Sequence, residues 1–170
     1  MIIKGVQIDS EIIAELARFT ILMGLLEKEK CDYGRKIDLN EIAEEIERKK
    51  IPTRELAKAI RGRVDLYGNG VVVYVKHILE DPEKIKYEMT EAKREKVEKF
   101  IDSEGQESIV GGLIAIYRIR NNLFHGIKEL GSLNRQMELF ETINEVLEEI
   151  VDLDIEPTAL YPHKNNCRNA

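Results

Sequence analysis

Ile109-Val110-Gly111-Gly112-Leu113-Ile114-Ala115-Ile116-Tyr117-Arg118-Ile119-Arg120-Asn121-Asn122-Leu123-Phe124-His125-Gly126 lies in the least polar part of this chain, and its spacing decides the fold. With Ile109 at zero on a helical wheel, Leu113, Ile116, Arg120, Leu123 and Phe124 fall within roughly 60° of it. One face of a helix from Glu107 to Phe124 is therefore apolar, and Gly126 is the residue expected to end it in a left-handed turn.

Working outward, the same periodicity recurs on both sides. Ile12, Leu16, Phe19, Met23 and Leu26 step by four and three, predicting a helix over Ser10–Lys30 with Asp9 or Ser10 as its cap. A second helix is expected from about Asn40 to Lys50, with Ile42 and Ile46 inward and Pro52 ending it. Thr53 is placed to cap a third helix, through Leu56, Ala57 and Ile60, that stops near Gly62. The charge-dense segment Glu83 to Ser103 keeps a thin stripe of Ile85, Met89, Val97, Phe100 and Ile101 and reads as a solvated helix. Gly105 separates it from the apolar helix. A final helix is expected from about Leu133 to Val151, with Met137, Phe140, Leu147 and Ile150 on one face. Residues 64–75 read two ways. Gly68-Asn69-Gly70 followed by Val71 to Val75 suits a small β-hairpin, and a buried helix running on to Glu80 suits the same residues. The expected fold class is an all-α helical bundle forming one domain over 1–154, followed by a Pro-containing tail over 155–170.

Composition bounds the function. Hydrophobic residues at 43% and charged residues at 34% describe a globular chain. No apolar run approaches the roughly 18 residues of a membrane span, and the first residues lack a signal-peptide pattern, so a cytoplasmic location without membrane association is expected. Cys31 and Cys167 exclude a disulfide framework, and His163 with Cys167 supplies at most half of a metal site, so no metal is expected. A net charge of −6 argues against non-specific duplex DNA binding, which needs a broad basic face.

Chemistry is concentrated at the end of the apolar helix. Arg120 sits within the stripe, where a guanidinium is costly unless an anion, a hydrogen-bond network or an interface receives it. His125 follows five residues later. On a continuous helix the two are about 140° apart, but a terminating turn and the long Arg side chain can bring them together. Asn121 shares the His125 side by i,i+4 proximity, and Asn122 adds a second amide. From Ser108 to Lys128 there is no acidic residue, whereas 32 acids in 170 residues predict about four in such a window, leaving Arg118, Arg120 and Lys128 locally unopposed. Plain structural readings stand beside this one. Arg120 can snorkel or pair with a Glu from a neighbouring helix, His125 can simply favour a helix C-terminus, and an acid-free window suits a buried helix.

The string Tyr117-Arg118-Ile119-Arg120-Asn121-Asn122-Leu123-Phe124-His125-Gly126 resembles the signature of the HEPN superfamily (higher eukaryote and prokaryote nucleotide-binding domains). There an Arg, a following polar residue, a few spacers and a His close one helix of a bundle; Arg120, Asn121 and His125 occupy those positions. The resemblance covers about ten residues and rests on their identities and spacing. It implies a metal-independent endoribonuclease of toxin or defence type, needing no cofactor, with two copies of the motif facing each other across a homodimer. A protein antitoxin is a further implied partner. Neutral His125 would act as general base on a ribose 2′-hydroxyl, Arg120 would hold the phosphate, and Asn121 would orient the His or bond a phosphate oxygen. Arg118, Asn122 and Lys128 would extend the RNA contact. The competing implication is a non-catalytic module of the same type, binding RNA, a nucleotide or a protein. Ile127 departs from members that carry a Tyr two residues after the His, which argues against regulation through that Tyr here.

Overall fold

A computed structural model describes residues 1–3, 6–30, 37–67, 90–124 and 130–151. These residues form an all-α bundle of six helices, α1 (Ser10–Lys30), α2 (Leu39–Lys49), α3 (Arg54–Tyr67), α4 (Glu91–Asp102), α5 (Ile109–Phe124) and α6 (Met137–Val151). A 3₁₀ segment, Leu130–Gln136, leads into α6, and two short strands, β1 (Ile2–Ile3) and β2 (Val6–Gln7), pair antiparallel with Ile3 opposite Val6.

Caps and turn residues define several of the helix ends. At the start of α2, Asp38 in extended conformation accepts from the Asn40 N–H at 2.9 Å, which also holds its carboxyl below the usual range. Lys50 closes α2 in a left-handed turn, and its N–H reaches the Glu47 and Ile46 carbonyls. Thr53 precedes α3 as expected, its carbonyl accepting from Ala57 N–H, but its hydroxyl donates to the Gly105 carbonyl at 2.8 Å. Gly105 itself has φ +80°, and a Cβ there would stand 2.5 Å from the Thr53 carbonyl oxygen. The loop between α4 and α5 is thereby pinned to the start of α3.

Two helix pairs build the core, α1 on α6 and α4 on α5, with α3 packed mainly on α6 and α2 mainly on α5. Phe19 and Phe140 meet edge to face at 5.5 Å between centroids where α1 crosses α6. Polar groups tie the same pair together. Buried Asn144 donates to the Glu15 carbonyl and carboxylate, and Arg18 binds both oxygens of Glu148. Below them, Lys30 and Lys49 converge on Glu45 at 2.6 and 3.1 Å, and Lys49 also donates to the Glu149 and Ile150 carbonyls in the last turn of α6. Burial alone would raise the Glu45 pKa, but the two ammonium groups outweigh it and lower the value.

The sequence expectations need correction in several places: α4 begins only at Glu91, after an extended Thr90, and α6 begins at Met137, with Leu133 to Gln136 in the 3₁₀ segment before it. Helix α3 does not stop near Gly62 but continues to Tyr67, because a lone glycine inside a helix costs only about 1 kcal/mol. That places the backbone of 64–67 in a helix, so no strand of a 64–75 hairpin starts there; the rest of that segment lies outside the described residues. The strand pair that does exist, at Ile2–Ile3 and Val6–Gln7, was not expected, since two-residue strands carry no periodic signal. The expected tail, 155–170, falls outside the described residues.

Candidate functional site

The two halves of α5 are built differently. Gly111 to Ile116 are all buried, and glycines let the backbone approach α4 closely. A Cβ on Gly111 would lie 2.0 Å from the Lys96 carbonyl oxygen, and one on Gly112 would lie 2.7 Å from the Phe100 ring. Beyond Ile116 the surroundings change, although Ile119 is still buried. Tyr117, Arg118 and Arg120 are half-buried and Asn121 is exposed.

Arg120, expected within the apolar stripe, is half-buried at the edge of the core, whereas Leu113 and Ile116 on the same stripe are buried. Its charge is met by α1. Arg120 Nη2 donates to Glu27 Oε2 at 3.0 Å, with the side chains 31% and 33% exposed. This is the ion pair with a neighbouring helix that the sequence allowed. Helix α5 carries no acid from Ile109 to Phe124, so the carboxylate has to come from another element, which no local spacing reveals. Glu27 is thus the site residue that sequence reasoning missed.

Of the other expected site residues, Asn121 follows Arg120 directly on α5 and is exposed, and Arg118 is half-buried one residue beyond Tyr117. Asn122 belongs to α5 by its backbone. His125, Lys128 and the terminating Gly126 lie outside the described residues, as do His163 and Cys167. Among the described residues no group of three or more His, Cys, Asp or Glu side chains could hold a metal ion, and no helix is long and apolar enough to cross a membrane.

A concavity of about 500 Å³ opens beside α4 and is lined by Glu95, Glu98, Lys99, Asp102, Ser103 and Glu107. Four carboxylates against one ammonium make it repel a polyanion. Comparison with protein-family models, curated proteins and solved structures returned no match to this chain.

Proposed function

We propose that this protein is a metal-independent endoribonuclease acting through Arg120, Asn121 and His125. The observation that supports this most is Arg120 itself, a half-buried guanidinium at the edge of the core, one turn before the end of a helix without acidic residues, with Asn121 exposed beside it. Such a group is set to bind a phosphate and offset the charge that grows on it in the transition state. His125, the next residue in sequence after Phe124, would take the proton from a ribose 2′-hydroxyl, whose oxygen attacks the adjacent phosphorus and expels the 5′-oxygen, which takes a proton from water and leaves as the alcohol beside a 2′,3′-cyclic phosphate. RNA supplies the nucleophile, so no metal or cofactor takes part. Arg118, Asn122 and Lys128 extend the phosphate track, and a homodimer places two such motifs around one cleft.

The Glu27 contact supports a second reading as well. A guanidinium already paired with a carboxylate suits a non-catalytic module that binds RNA, a nucleotide or a protein partner near the same place. Incubation of the purified protein with single-stranded and structured RNA in EDTA separates the two. Cyclic-phosphate products that vanish with His125→Ala and Arg120→Ala support the enzyme; RNA retained without products supports the binder.

A further inference from the structure

The phosphate position proposed on Arg120 is shared with a carboxylate. Glu27 Oε2 accepts from Arg120 Nη2 at 3.0 Å, and a carboxylate offers a guanidinium the same pair of acceptor oxygens that a phosphodiester does. The contact joins residues 93 apart in sequence, so its geometry depends on how α1 meets α5 and not on a helix-local pairing. Each side chain is about a third exposed, at 31% and 33%, so water reaches both partners and the pair is of the weak, exchangeable kind. A fully buried pair would not exchange, because separating it would strand a charge.

Resting on the RNA reading above, we infer that Glu27 is an anion gate on Arg120. Its carboxylate holds the guanidinium between encounters and yields the contacted edge to a backbone phosphate. The gate limits affinity: an acid beside the phosphate position opposes every polyanion, in a chain whose net charge of −6 already does so.

The test is binding of a short single-stranded 2′-O-methyl oligoribonucleotide, which keeps the phosphates and lacks the nucleophile, to wild type, Glu27→Gln, Arg120→Gln and the double variant. Glu27→Gln should tighten binding about three- to tenfold at low salt, with the gain shrinking above about 0.15 M ionic strength. The gain should vanish in the Arg120→Gln background. Glu27→Asp, whose shorter side chain keeps the charge but loses reach, should fall between and carries the test if the Gln variant melts early. Unchanged or weaker binding by Glu27→Gln, with Arg120→Gln still weakened, overturns the gate and leaves the RNA reading standing. No measurable binding by wild type, or binding indifferent to Arg120→Gln, overturns both.

Discussion

The first half of α5 and its second half share one helix and one apolar stripe, yet they answer to different demands. From Gly111 to Ile116 every side chain is buried, and two glycines hold the backbone against α4 so closely that a single methyl group would collide with it. From Tyr117 to Asn121 the helix carries two half-buried arginines and an exposed amide, and one arginine is met by Glu27 from α1. The contrast teaches that burial at one end anchors the helix, which leaves the other end able to hold charged groups at a fixed position.

The largest effect expected is at the packed end. Phe100 is fully buried against Gly112, and Phe100→Ala should cost about 3–5 kcal/mol in denaturant unfolding by removing the ring and leaving a cavity. A loss below about 1 kcal/mol would erase the contrast between the halves. Next comes Gly111→Ala, where the added Cβ meets the Lys96 carbonyl, a backbone atom that cannot turn aside. About 1–3 kcal/mol should be lost. Gly112→Ala meets instead the tip of a side chain, so combining it with Phe100→Leu should cost less than the sum of the two changes.

A genuine ionic brace sharpens the comparison from the other side. Glu45 binds Lys30 and Lys49 between α1, α2 and the end of α6, and its pKa is lowered by them against the opposing effect of burial. A depressed carboxylate contributes stability above its unfolded pKa and loses it as pH falls through the folded value. Glu45→Gln should therefore lower the melting temperature at neutral pH, and the gap from wild type should close below about pH 4. A gap independent of pH would show that packing, not charge, is lost. The smallest effect is expected at Arg118. Arg118→Ala should weaken RNA binding evenly across sequences and reduce the salt slope by about one.

Much of this was legible beforehand, for reasons the particular residues make clear. The limits of α1 coincide with those read from Ile12 to Leu26, and α2 is displaced by one residue, because strong periodicity and Asp or Pro punctuation agree there. Gly62 misled, since a single glycine costs a helix only about 1 kcal/mol and does not by itself end it. The start of α5 lies two residues later than expected, at Ile109, after Ser108 takes a left-handed turn with its hydroxyl on the Lys96 carbonyl. The cost of a guanidinium at Arg120 was visible from the wheel, but its partner was not. Glu27 is one of two glutamates on the charged end of α1, and only its tertiary contact with Arg120 singles it out.

Whether Arg120 serves anions or the fold is decided by measuring melting temperature and RNA cleavage in EDTA on the same preparation of Arg120→Met. Met fills the apolar space of the Arg stem, and the lost ion pair is part-exposed, so stability should change by less than about 1 kcal/mol while cleavage falls by about a hundredfold or more. A variant that melts far earlier yet, where folded, cleaves or binds RNA as wild type does would contradict the account and leave Arg120 a structural brace.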